Sequence, residues 1–370
     1  MTSEYLDNRT ASLSTQSPVP PSQARAAQIP LQTFTLPTFP PEAFSSATNL
    51  NSLILTSDIK LDEYTTLLTQ PFTIPSLPPT IKALTLELFS LGYPPSFLTQ
   101  LGDRLKALKS LTLYSQLLAG TTPESRDDAV TFITAQHELQ ELHLLDVFTP
   151  PGFWTRFAGA LNPDLKFLEL NYTFRHSDPE FLKSLQAGEV VRFVKGRKGL
   201  LGLTLSVSAP DVVPDDEDDR EGTEVGVLVV GEGGEREALV DALVDPEMGG
   251  GLVMCDVSMF ELSLEELGRV VDACGMVKVL GVSVWLEKGW EELLGKLVGR
   301  DSAVEMLEIV GVPGVELVEK MKGGEMVGLS KEWLEKLARK WKGLKSVKIS
   351  ILRTKMEQWV NRSDVWTKMT

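Results

Sequence analysis

Three histidines, His137, His143 and His176, and two cysteines, Cys255 and Cys274, hold most of the nucleophilic and ligating chemistry of this chain. A structural zinc module needs four Cys/His ligands at short spacings, and a disulfide framework needs more cysteines, so neither fits. The cysteine pair reads instead as two reduced, buried thiols. His143 sits in the segment LQELHL and Glu169 in LKFLEL, 26 residues further on. If both segments are strands in one register, about 4.8 Å apart, the imidazole and the carboxylate can share a hydrogen bond. A histidine oriented by a carboxylate is half of a general-base pair. The same register offers Thr112 but no Ser or Cys as nucleophile, so a polar surface patch is the plainer expectation.

The other enzyme-like segment is EVGVLVVGEGGEREALVDAL, residues 224–243, with Gly231 and Gly233 between an apolar run and a helical pattern. That is the outline of a dinucleotide cradle, in which glycines permit a tight turn and close approach to a pyrophosphate. The details oppose it. Arg236 stands where a third glycine is required, and Glu232 and Glu235 repel a phosphate. No phosphate-binding loop, nucleophile elbow, zinc-protease, calcium-loop or kinase signature is present. The expectation is no cofactor and no enzyme, with a nucleotide-binding enzyme around residues 231–234 kept as an alternative.

Stepping outward, a net charge of −15 argues against general nucleic-acid binding. The charge is uneven. Residues 211–224 (DVVPDDEDDREGTE) carry eight acids against Arg220 alone, whereas residues 331–370 carry eleven Lys/Arg against four acids. No apolar run reaches the length of a membrane span, and the first 25 residues lack the apolar core of a secretory signal. A cytoplasmic or nuclear protein is expected.

The dominant pattern is a repeat: aliphatic, two others, aliphatic, one other, aliphatic. It runs LNSLIL from Leu50, IKALTL from Ile81, LKSLTL from Leu108, LQELHL from Leu139, LKFLEL from Leu165 and LLGLTL from Leu200. It continues VGVLVV from Val225, LVMCDV from Leu252, VKVLGV from Val277, VEMLEI from Val304 and LKSVKI from Leu344. Alternate residues of a short strand point to opposite faces, so two aliphatics per unit face inward and the residues between them face out. Amphipathic stretches separate the units, among them residues 123–135 after an acidic first turn, and residues 263–273, where Ser263 and Glu266 have capping-box spacing. Strands alternating with helices imply a parallel sheet.

Over roughly residues 46–352 this pattern resembles the leucine-rich-repeat superfamily, in its longer, ribonuclease-inhibitor-like form. The resemblance implies an α/β leucine-rich-repeat solenoid, a horseshoe of about eleven parallel strands with outer helices, stacked so that each unit buries its neighbour's apolar face. The family often places Asn or Cys three positions after the last Leu; this chain has Gln116, Val147 and Thr173 there, so the usual side-chain ladder is not expected. The expected organisation is a disordered Pro/Ser-rich tail over 1–45 with a short extended segment, and a solenoid over 46–352. Within the solenoid fall an acidic loop at 209–224 and a helical insert at 311–343. A C-terminal capping helix is expected over 353–370.

The outward strand positions define the expected working face. Tyr114, Glu141, His143, Phe167, Glu169, Asn171, Met254, Asp256, Met306 and Glu308 are the candidate partner-binding residues. Aromatics and methionines among acids suit an unknown protein partner with a basic surface. Leucine-rich-repeat proteins bind other proteins on this face, so the resemblance implies a non-enzymatic interaction scaffold. A diverged F-box-type substrate receptor of a ubiquitin ligase is the second reading, although only Pro41-Glu42 matches the F-box start. The Trp-rich basic C-terminus reads as an apolar stripe packed on the solenoid's end. Calorimetric titration with NAD, NADP, ATP and GTP is expected to show no binding. A low-micromolar Kd that is lost on Gly231→Val would reverse the non-enzymatic reading.

Overall fold

The computed structural model describes residues 31–36, 49–57, 60, 63, 66, 73–173, 187–208, 234–323, 328–351, 357–362 and 365–369. Among them, thirteen strands form one sheet in chain order. They are β1 (Leu31–Leu36), β2 (Ser52–Ser57), β3 (Ala83–Glu87), β4 (Ser110–Leu117), β5 (Glu141–Phe148), β6 (Phe167–Thr173) and β7 (Gly202–Ser208), followed by β8 (Met254–Leu262), β9 (Val279–Leu286), β10 (Met306–Pro313), β11 (Ser346–Ile351), β12 (Glu357–Arg362) and β13 (Val365–Met369). Every neighbouring pair from β1 to β11 is parallel. The last two pairs are antiparallel. One strand per repeat, with helices on a single side, makes this a leucine-rich-repeat solenoid.

The helices are α1 (Phe97–Arg104), α2 (Pro123–Thr134), α3 (Phe153–Ala160), α4 (Ala187–Val194), α5 (Gly234–Val244), α6 (Leu264–Ala273), α7 (Trp290–Val298), α8 (Val315–Lys322) and α9 (Lys331–Lys340). They pack in chain order, except that α7 meets α9 and α8 lies against β10. Their starts follow the sequence chemistry. Thr122 caps α2 by accepting from the Ser125 amide, and Ser263 with Glu266 forms a complete capping box on α6.

The core is the register made visible. Leu53, Leu84, Leu111, Leu142, Leu168, Leu203, Cys255, Leu280, Leu307 and Val347 lie opposite one another on successive strands, and each is at most 2% exposed. A second backbone ladder precedes the strands. Each residue one position before a strand donates its amide to the carbonyl of its counterpart one repeat earlier: Lys82 to Asn51, Lys109 to Lys82, Gln140 to Lys109, and onward through Lys345 to Glu305.

Three expectations are corrected. The segment at 225–230 lies outside the described residues, but β7 pairs directly with β8, so no strand from it stands between them. Leu31–Leu36, assigned to the disordered tail, is strand β1 and pairs with β2. The capping helix over 353–370 is instead the β12–β13 hairpin, in which Trp359 pairs with Lys368 and Asn361 with Trp366 across antiparallel strands. Instead of the usual side-chain ladder, isolated bonds reach one repeat back from unequal positions: Gln116 Nε2 donates to the Leu86 carbonyl, Tyr172 Oη to that of Val147, and Ser283 Oγ to that of Ser258.

The interval before β11 holds α8 and α9, and residues 311–313 belong to β10. The acidic loop, Gly231 and Gly233, and Pro41-Glu42 lie outside the described residues; Gly234 opens α5. On α9, Leu334 and Leu337 are fully buried, as is Trp341 just beyond, which is the packed stripe. Replacing Leu111, Leu142, Leu168, Leu203 or Leu280 with Ala is expected to cost about 2–5 kcal/mol each by opening a cavity. Denaturant titration measures it, and a loss below about 1 kcal/mol at any of the five would contradict a shared core row.

Candidate functional site

The outward strand positions form three rows on the face opposite the helices. The first contains Glu141, Phe167, Gly202, Met254, Val279 and Met306. The second contains Thr112, His143, Glu169, Thr204, Asp256, Gly281, Glu308 and Lys348. The third contains Glu87, Tyr114, Leu145, Asn171 and Ser206. All ten candidate residues fall on this face, in two groups joined by β7. Tyr114, Glu141, His143, Phe167, Glu169 and Asn171 occupy β4–β6, and Met254, Asp256, Met306 and Glu308 surround β9.

The first group centres on His143. Its Nδ1 lies 2.7 Å from Glu169 Oε2, the contact that the repeat spacing implied. With Nδ1–H donating to the carboxylate, Nε2 of a neutral imidazole is an acceptor. That atom is buried and has no hydrogen-bond partner among the described residues, and the same holds for Ser206 Oγ two strands away. His143 is 7% exposed, Asn171 4%, Thr204 5% and Ser206 4%. Buried unpaired polar atoms each forgo about 1–3 kcal/mol.

The second group is acidic and apolar. Gly281 stands between Asp256 and Glu308 in the second row, and a Cβ there would lie 2.6 Å from Asp256 Cγ, so the carboxyl rests over the glycine backbone. Partial burial pushes the Asp256 carboxyl up to about 6, with the Glu308 charge adding to the rise. The Ser258 amide donates to Asp256 Oδ1 at 3.0 Å and opposes that shift. Beside it in the first row, Met254, Val279 and Met306 make an apolar strip. A similar glycine lies nearer β6: a Cβ at Gly202 would come within 2.6 Å of the Phe167 ring and 3.3 Å of Met254 Cε. Phe167 and Met254 therefore meet over Gly202 and join the two groups.

Sequence reasoning overlooked Gly202 and Gly281, although both occupy outward slots of the repeat (LLGLTL and VKVLGV), where a glycine lets a neighbour's side chain cover the backbone. It also overlooked a shared backbone kink. Leu88, Ser115 and Asp146 occupy equivalent positions after the third row on β3–β5, and their φ angles are +61°, +50° and +51°. Three left-handed non-glycine residues in adjacent repeats cost about 1–2 kcal/mol each, a strain that clusters at functional surfaces.

Among the described residues, no group of three or more His, Cys, Asp or Glu side chains can hold a metal, and no helix is long and apolar enough to cross a membrane. Both cysteines are buried, and burial pushes the thiols of Cys255 and Cys274 up, away from reactivity.

No family model matches the chain, and no curated protein sequence matches it. Among solved structures, the chain is similar to the leucine-rich repeat-containing protein LegL7 from Legionella pneumophila. The identity is 15% and the TM-score 0.43, over 88% of this chain and 92% of that one. The fold assignment rests on this chain's own strand register.

Asp256 has a testable signature. An ordinary aspartate titrates near 3.8 and Asp256 near 6. Between these values the folded chain holds a proton that the unfolded chain has released, so this group's contribution makes stability fall as pH rises from about 4 to 6 and stay low above. Asp256→Asn is therefore expected to stabilise the protein by roughly 1–2 kcal/mol at pH 7.5, with the gain shrinking toward pH 4. Thermal unfolding across that range reads it, and destabilisation at pH 7.5 would refute the assignment.

Proposed function

We propose that this chain is a non-enzymatic scaffold that holds a basic segment of another protein against its outward strand face. The observation that supports this most is the unfavourable chemistry kept on that face. Asp256 carries a charge at neutral pH that folding alone disfavours, and Glu308 stands two strands along the same row, across Gly281. A surface under selection for stability alone would replace them; a surface that receives donors would keep them. The acceptors Glu169, Asp256 and Glu308 suit ammonium and guanidinium groups. The Met254–Val279–Met306 strip suits the aliphatic stems that carry such groups.

Affinity capture from cells with the wild type and with Glu308→Lys/Tyr114→Ser tests this reading. Both side chains are only partly buried, so the variant should fold. Proteins retained by the wild type are expected to fall at least about tenfold on the variant, and to elute at roughly 0.5 M salt, where the Debye length is near 4 Å. An unchanged set of captured proteins would rule the strand face out as the binding surface.

A further inference from the structure

We propose a second docking surface, separate from the strand face, on the row of residues one position before each strand, and we infer that it takes an extended acidic segment with apolar side chains at its centre. Lys82, Lys109, Lys166, Leu201, Val253 and Lys278 stand on this row, tied by the backbone ladder. Further along, Glu305 pairs with both Lys278 and Lys345. Five lysines and one carboxylate thus line one edge of a chain whose net charge is −15. Lys82 and Lys109 make no ion pair among the described residues, and Lys166 Nζ donates only to the Gly199 carbonyl.

The centre of the row is apolar and exposed. Leu201 is 40% exposed and Val253 37%, and they are adjacent rungs, the Val253 amide donating to the Leu201 carbonyl at 2.8 Å. They are two of only eight large hydrophobic residues so exposed among the described residues. Elsewhere on the row the polar side chains are Asn, Lys, Gln or Glu, so the apolar pair is bracketed by Lys166 and Lys278. Rungs are about 4.8 Å apart, which puts Lys166 and Lys278 roughly 14 Å apart, about four steps of extended chain. Acid, apolar, any residue, apolar and acid fit that length. Charge complementarity selects the flanks, and desolvation of Leu201 and Val253 selects the centre.

Fluorescence anisotropy with the labelled peptide EELSLEE tests the proposal, with EESSSEE and KKLSLKK as comparisons. EELSLEE is expected to bind, and to bind at least about tenfold more weakly at 300 mM than at 50 mM salt. Leu201→Ser/Val253→Ser and Lys166→Glu/Lys278→Glu should each reduce affinity about tenfold. Lys322→Glu, on α8 away from the row, should leave it unchanged. These are exposed or half-buried positions, and matching thermal midpoints check that each variant folds. No binding, equal binding of EESSSEE, or equal loss on Lys322→Glu overturns the proposal. So does co-sedimentation with phosphatidylserine vesicles in the absence of peptide binding, because the row would then be a lipid-facing edge.

Discussion

Two packing distances that do not match set the rest of this structure. Adjacent strands are held about 4.8 Å apart by backbone hydrogen bonds, while packed helices need about 8–10 Å between axes. A chain that supplies one strand and one helix per repeat must curve, with the strands on the inside. The inward row from Leu53 to Val347 fills the gap between the layers and fixes which strand residues are left facing out. The working face is therefore what remains after the leucines have been buried, and its spacing is that of the hydrogen bonds.

The same stacking buries helix ends that would otherwise lean on water, and neighbouring repeats satisfy them. α1 begins at Ser96, whose φ of +61° leaves it with no capping side chain, and Asp128 of α2 accepts from the Leu98 and Thr99 amides instead. Glu189 of α4 does this for α3 through the Gly152 and Thr155 amides. At the opposite ends, the buried Arg197 donates to the carbonyls of Phe193, Asn162 and Ala158. Carboxylates sit at helix N-termini and a guanidinium at C-termini, each where the helix dipole favours it. Much of the buried charge thus belongs to the joints between repeats. The joints are not uniformly satisfied: Gln136, buried just past α2, has neither side-chain amide atom paired among the described residues.

Much of this was legible in the residues. The spacing of leucines located ten of the thirteen strands, Ser263 and Glu266 located the start of α6, and the 26-residue step from His143 to Glu169 predicted their contact. What was not legible has physical reasons. The VGVLVV segment matches the repeat as well as any other, but periodicity reports which face of a strand is apolar and says nothing about pairing. The C-terminal hairpin was mistaken for a helix because Trp359 and Trp366 stand seven residues apart, the spacing of a helical stripe, and the sequence between them holds no Gly. Glycines 202 and 281 were passed over because a search for chemistry looks for side chains, and their contribution is the lack of one.

The two charged surfaces also explain why net charge is a poor guide to this protein. Along a strand, Lys109 and Thr112 stand three residues apart, about 10 Å, and every repeat keeps that offset between the lysine row and the row that holds Glu169, Asp256 and Glu308. About 10 Å is also the Debye length near physiological salt, so each row is felt separately by a molecule in contact with it. From a distance both rows merge into the field of a chain whose net charge is −15. At contact the sign across a strand differs from repeat to repeat: the β6 repeat sets Lys166 against Glu169, the β10 repeat carries Glu305 and Glu308, and the β11 repeat carries Lys345 and Lys348. A partner carrying one sign slides along its own row, and a partner carrying both signs in the right order is fixed in orientation as well. Specificity on such a sheet comes from the order of charges across the strand, and the repeat, not the composition, sets that order.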